Sequence, residues 1–499
     1  LTANGHLLFG KLLVWMQAEK TTPNPMVLSG VLGGDLDAAA RIRIADSLGW
    51  PSDFAAWRRL LTWAIEQVES IPDAQLRDLV TLFETWQVAV ADYPNAVSQR
   101  IVARCATWLH AIEDEHVDRR FRYGTPANDG TPRPRVPTQL ETELRALVLR
   151  AARAYPDVVN AYLAKVETIE RWSDGAFREL MTFAPVLAQT HPALLARVAK
   201  RWFMRELPDD TSARWRREAR EEGRRRREAE AVPPEKRSRW DKLALSSTSI
   251  MHHSFSHHDW DRLSIGGDHQ GFFPASPLRE PFHSLLTRDP ATALALIRDV
   301  TNHAATAWRQ LHRHWRGSAT PLPLVVAFPW GQQEFWGDDR HYFWFRGHGG
   351  PQVVECALMT LERWAIAQLD AGRPLDEVLQ ELLDGHTSIG VLGIAVHLAL
   401  RAKQVSPTTL ALLRSPRLWR LDLQRQVQEH QLKSAGLMGF GNASVDAVHR
   451  QAVADSSQMT SRRLELRDLV PLFVLGGDTA LREACRAALD DFPNKLEFA

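Results

Sequence analysis

The sequence is poor in cysteine, nearly without net charge, and free of long apolar runs. Cys105, Cys356 and Cys485 are the three cysteines in 499 residues. They are far apart, odd in number and form no Cys-x-x-Cys pair. That argues against a disulfide framework or a thiolate zinc site, and it fits a reducing, cytoplasmic setting. Lys and Arg total 61 against 60 Asp and Glu, a net charge of +1. No global field therefore draws the chain to nucleic acid or to a membrane. No apolar stretch reaches the roughly 18 residues that a membrane-spanning helix needs. The opening LTANGHLLFGKLLVWMQAEK is apolar but lacks a basic region and a small-residue cleavage site, so it does not read as a signal peptide. The chain begins at Leu1 rather than Met, which predicts a piece of a longer polypeptide. No G-x-S-x-G elbow and no Cys/His nucleophile arrangement is present.

What is present is helical patterning. SDFAAWRRLLTWAIEQV carries Phe54, Trp57, Leu61, Ala64 and Val68 at helical spacing, and the next two segments repeat this with Leu76, Leu79, Phe83, Trp86 and with Val97, Ile101, Cys105, Trp108. Xaa-Pro helix starts recur at Pro94, Pro156, Pro192, Pro290, Pro407 and Pro416. The expected fold is all-α: an irregular α-α repeat of HEAT-like type, a solenoid with two non-helical insertions. A single non-repetitive helical domain is the plainer alternative.

The expected organisation follows composition. It runs as an N-terminal helical segment (1–120), a Pro/Gly-rich loop (121–138), a helical segment (139–207) and a charged Arg/Glu-rich helix or disordered segment (208–240). A His-rich irregular insertion (241–280) comes next, then a helical pair (281–316), an aromatic and Gly-rich insertion (317–352) and a C-terminal helical array (353–499). The stretch 270–315 sits between the insertions, with Asp289-Pro290 expected to start its second helix. LPLVVAFPWG reads as a possible short buried strand, and SIGVLGIAVHLALRAK, apolar nearly all round, should lie deep in the packing.

Candidate chemistry is sparse. Residues 5–12, GHLLFGKL, match G-x-x-x-x-G-K, but Leu12 stands where a P-loop needs a magnesium-binding hydroxyl, so an amphipathic helix is the better reading. His253, His257 and Asp261 are spaced four apart and would share a helical face as nitrogen and oxygen metal ligands. The serines around them favour a polar loop instead. Arg-rich 214–239 could touch phosphates, yet its interleaved Glu218, Glu221, Glu222, Glu228 and Glu230 would repel them, which favours a solvated helix. Asp338, Asp339 and Glu334, with His341 and His348, form a loose acid/base set. The neighbouring aromatics pack as a plug or, if exposed, mark a partner site. Phe328, Trp330, Phe335, Trp336, Tyr342 and Trp344 are the candidate partner-binding residues.

Three stretches carry a resemblance. They are 270–308 (QGFFPASPLREPFHSLL, then IRDVTNHAATAW), 354–393 (VECALMTLERWAIAQLD, then LLDGHTSIGVLG) and SPRLWRLDLQRQV from Ser415. Together they resemble the C-terminal helical sensor region of large bacterial STAND-type ATPases, the NLR-like antiviral proteins. The resemblance implies a helical array that senses a phage protein, an NTPase module upstream that binds ATP and magnesium, and an effector that acts after oligomerisation. This chain would then be the sensor array, with no cofactor or catalytic residue of its own. A protein partner is expected, while nucleic acid and membrane are not. A metal-dependent hydrolase or nuclease using His253, His257 and Asp261 is the second reading, and a nucleic-acid-binding helical protein the third.

Overall fold

The computed structural model describes residues 61–71, 73–90, 94–121, 136–169, 174–246, 254–266, 271–315, 320–435, 444–476 and 478–498. The P-loop-like match at 5–12, most of the loop expected at 121–138, and His253 lie outside these residues. The chain is mostly helical, and among the described residues its one sheet is a two-stranded hairpin. It divides into two compact units, Leu1–Val198 and Ala199–Ala499. The division falls within the helical segment expected at 139–207. Helices are numbered below along the described residues.

In the first unit, α1 (Leu76–Val90), α2 (Ala96–Phe121), α3 (Glu141–Arg150), α4 (Pro156–Thr168) and α5 (Asp174–Thr182) carry the packing. Asn95 opens α2, its Oδ1 accepting from the Ser98 amide at 2.8 Å, a side-chain cap that satisfies a free helical donor. Val97, Ile101, Cys105, Leu109 and Ile112 of α2 are buried, one stripe at helical spacing. Within this core sits a charge. Arg145 is 1% exposed; its guanidinium pairs with Glu113 at 3.2 Å and also with Glu141 and Glu179. Its Nε donates to the Tyr162 hydroxyl at 3.1 Å, which donates in turn to Glu113 at 2.9 Å. Burial lowers the hold of Arg145 on its proton, but Tyr162, Glu113 and Glu141 more than reverse this and keep it charged. One side chain thereby ties α2, α3, α4 and α5 together.

In the second unit, α6 (Ala184–Thr190) and α7 (Pro192–Phe203) having preceded it in the chain, the long α8 (Pro208–Ala231) is followed by α9 (Arg239–Ser246) and α10 (His257–Arg262). The insertion expected to be irregular at 241–280 thus contains helix. Ser256, read as disfavouring a helix, starts one instead. Ser238 and Asp241 exchange hydrogen bonds of 2.7 and 3.2 Å at the start of α9. Asp259 accepts from the Ser256 amide and hydroxyl at the start of α10. Next come α11 (Phe282–Arg288) and α12 (Pro290–His314), and Asp289 caps α12 through Thr292 as its Asp-Pro sequence predicts.

Strand β1 (Leu324–Phe328) pairs antiparallel with β2 (Gly331–Phe335), Leu324 opposite Phe335 and Phe328 opposite Gly331. The strand foreseen as buried is covered on one face alone. Leu324, Val326 and Phe328 are buried while Val325 is 46% exposed, the alternation of a half-covered hairpin. Beyond α13 (Asp339–Tyr342) lie α14 (Gln352–Asp370), α15 (Leu375–Leu383) and α16 (Gly390–Ala402), then α17 (Pro407–Leu413), α18 (Pro416–Ala435), α19 (Ser444–Gln458), α20 (Val470–Gly476) and α21 (Thr479–Asp490). Every residue of α16 from Gly390 to Leu400 is buried. Gly393 permits a very close approach in this core. A Cβ there would meet the Phe345 ring at 2.3 Å, so the helix rests directly on that aromatic ring.

Truncation of Arg145 leaves the buried Glu113 carboxylate without the cation that balances its charge. Arg145→Ala is therefore expected to lose about 3–5 kcal/mol in urea unfolding followed by far-UV circular dichroism. A loss below about 1 kcal/mol would mean that the cluster behaves as a solvated surface pair.

Candidate functional site

The aromatic insertion supplies the first half of the candidate site. Phe328, Phe335, Tyr342 and Trp344 are at most 6% exposed, so these four do not form the recognition surface expected of them. The apolar rings go inside because the hairpin and the 341–346 turn have no other core to fill. Trp330 and Trp336 are half-buried. Trp330 stacks on Phe328 with ring centroids 4.9 Å apart, and the Arg309 guanidinium lies 3.6 Å over the Trp336 ring.

Of the loose acid/base set, Asp338 and His341 come together, with Oδ1 and Nδ1 2.6 Å apart. Burial pushes the Asp338 carboxyl up, but His341 and the amides of His341 and Arg340 overcome this and hold it at about 2. This is a helix cap on α13, and the His341 ring is wedged between Trp308 and Trp344. Glu334 and Asp339 point outward, exposed. His257 and Asp261 are both exposed on α10, a single helix of six residues, and the His257 ring packs 5.3 Å from Trp315. Among the described residues, no three His, Cys, Asp or Glu side chains converge as metal ligands.

A set of residues that sequence reasoning passed over is the more organised. The Tyr342 hydroxyl donates to Asp422 at 3.0 Å, and Asp422 accepts from Arg425 Nε at 2.6 Å. Arg425 also donates to the carbonyl of Arg462 at 3.1 Å. Arg346 forks onto Glu429 at 2.5 and 3.1 Å and reaches Ser456 and Ser457. Arg462 donates to Ser456 at 2.9 Å and pairs with Glu362. Glu362 faces His397 Nδ1 at 2.7 Å, and His397 Nε2 faces the Ser461 hydroxyl at 2.9 Å. The chain of polar groups thus runs from the aromatic turn through α18 and α19 to α14, α16 and the 3-10 turn Thr460–Arg463.

Its last three members have the connectivity of a Ser–His–carboxylate triad. An ionised Glu362 can only accept, so Nδ1 carries the ring proton and Nε2 accepts from Ser461. Ser461 also lines an open cleft of about 760 Å³ together with Thr460, Arg373, Arg401 and Lys403. The electrostatics oppose catalysis. Acyl transfer by such a triad passes through an imidazolium. Burial, with the Arg462 charge next and that of Arg346 behind it, outweighs Glu362 and pushes His397 down to about 4. Protonating this ring at neutral pH costs on the order of 4 kcal/mol. The Glu362 carboxylate is itself held far below its usual range, against its burial, by Arg462 and His397. The arrangement is a clamp that keeps α14 and α16 in register with the 459–464 segment. The sequence signal for it was available: His397 and Glu362 are polar residues at buried positions of apolar helices.

Two predictions follow from these charges. His397, pushed to about 4, and His386, pushed by burial and Arg298 to about 3, take protons near 6.5 when unfolded. The unfolded chain therefore binds more protons across this window. Stability is full above about pH 6.5 and falls as pH drops toward about 4. Urea midpoints across that range should show the slope, and His397→Gln, which keeps a bridge without titrating, should reduce it, leaving the share due to His386. Ser461 should also resist a fluorophosphonate probe; labelling that disappears in Ser461→Ala would make the triad catalytic.

A comparison with known protein families finds no match, and none with curated proteins reaches significance.

Proposed function

We propose that this chain is a helical scaffold that binds a protein partner, as the sensor region of a bacterial anti-phage STAND-type ATPase. In this reading the helices form an irregular HEAT-like array in the cytoplasm, the partner is a phage protein, and ATP with magnesium belongs to an upstream module. The resemblance of 270–308, 354–393 and the segment from Ser415 supplies the family. The observation that carries the binding role is a contrast between interior and surface. Groups able to do chemistry, such as His397, Glu362, Arg346 and Arg425, are spent on one another inside the second unit. Large apolar side chains stand outside it, Trp240 at 76% and Leu243 at 58% exposure among them. Exposed apolar groups grouped among charges are the mark of an interaction surface. No helix among the described residues is long and apolar enough to cross a membrane.

The test is co-expression of this chain with single phage proteins that trigger the parent defence system, followed by size-exclusion chromatography. The expected outcome is a stable complex with one triggering protein. Triggering proteins that all elute apart from the chain would overturn the sensor reading.

A further inference from the structure

The strongest unassigned surface is the hairpin of α8 and α9. Along the sequence its charges alternate, and a solvated helix with mixed signs is what the alternation predicts. Folding sorts them. At about 100° per residue, Glu218, Glu221, Glu222, Arg225 and Glu228 share the side of α8 that turns toward α9. Arg216, Arg220 and Arg227 share the far side, while Arg214, Arg217 and Arg224 lie beside the glutamates. The glutamate side and α9 enclose a groove of about 950 Å³. Trp240, Leu243 and Ala244 form its apolar wall, and Asp241 adds a further acid.

Two properties make this groove unlike an ordinary solvated face. First, α9 has no buried residue. Its apolar side is held out in solvent by a helix whose start is fixed by the Ser238–Asp241 exchange. An indole that is 76% exposed carries a large unrecovered hydrophobic free energy. Second, the acids outnumber the one lining arginine. Glu218 and Glu228 have i,i+4 partners in Arg214 and Arg224. Such exposed pairs are weak enough to be exchanged for an incoming cation. An apolar wall opposite a carboxylate wall fits an amphipathic helix with Leu or Phe on one edge and Lys or Arg on the other.

We propose that the α8–α9 groove is a docking site for a basic amphipathic helical segment of a protein partner. The proposal deepens the partner-binding reading above and rests on it for the partner's identity as a protein. Trp240 and Leu243 anchor the apolar edge of the incoming helix, and Glu218, Glu221, Glu222 and Glu228 take its cationic edge. Affinity comes chiefly from the buried indole, and the choice of a basic partner from the carboxylates.

The experiment uses the full chain and three labelled synthetic helices, one of Leu and Lys, one of Leu and Glu, and one of Ser and Lys, read by fluorescence anisotropy. The Leu/Lys helix alone should bind, with affinity falling severalfold between about 0.1 M and about 0.5 M salt. Trp240→Ser and the double change Glu221→Lys, Glu222→Lys should each weaken it about tenfold or more. Trp240→Ser leaves the melting temperature nearly unchanged and the lysine pair lowers it slightly, because all three side chains are exposed and the lysines add like-charge i,i+4 neighbours. Binding that is indifferent to these variants would overturn the proposal. So would sedimentation showing that the free chain self-associates through Trp240, since a second copy's arginine face would then be the occupant. If the phage-protein complex forms and survives Trp240→Ser, the sensor reading stands and the groove assignment fails. If the groove binds the Leu/Lys helix but no triggering protein joins the chain, the sensor reading fails.

Discussion

A buried guanidinium must be surrounded by acceptors, and much of this structure is arranged around that demand. Arg145 in the first unit, and Arg346, Arg425 and Arg462 in the second, are each nearly inaccessible; Arg145, Arg346 and Arg462 are held by carboxylates from other elements, and Arg425 by Asp422 of its own helix and the carbonyls of Arg462 and Leu464. Such pairs contribute little net stability over an apolar core, because desolvation offsets most of the attraction. They do penalise misassembly. A helix that docks one turn out of place leaves a naked charge inside, whereas a slipped leucine merely finds another leucine. In a chain of short, similarly patterned helices, that penalty distinguishes the right neighbour from many near-equivalents.

The same charges decide what the interior can do. Geometry alone would allow the Ser461–His397–Glu362 relay to serve as a nucleophile and its base. Burial first, and the Arg462 charge after it, push the imidazole down and disfavour its charged form. The distances of the relay fit acyl transfer, and its electrostatic surroundings weigh against it.

Much of the helical architecture could be read from the sequence because its signals are local. Asp289-Pro290, Ser406-Pro407 and the stripe from Val97 to Ile112 each fix a helix by caps and periodicity within a few residues. The hairpin was half legible: LVVAF announced a strand, but its partner GQQEF has no β-branched residue and owes its place to pairing. Ser256 misled, since serine inside a helix and serine before one have opposite effects and sequence position alone does not separate them. The candidate site was least legible. Arg346, Glu429 and Arg462 lie far apart in the chain and meet only after six elements have packed, so no spacing rule could gather them. The aromatic residues were conspicuous for their density, yet density did not say which side of the turn would face inward. The glutamates of α8 do neutralise arginines, Glu218, Glu228 and Glu230 pairing at i,i+4, and the solvated charged helix read from the sequence is what forms.

Gly393 carries a consequence for tracing ancestry. Its hydrogen occupies the one gap left by the Phe345 ring, so a larger residue there demands a smaller ring at 345, and the reverse. The two positions are linked by volume across 48 residues of chain. Distant cousins whose overall identity has decayed past detection would still have to honour that exchange. A glycine within an apolar helix, matched with a large ring upstream of it, is therefore a shape-based tag by which relatives of this fold can be sought.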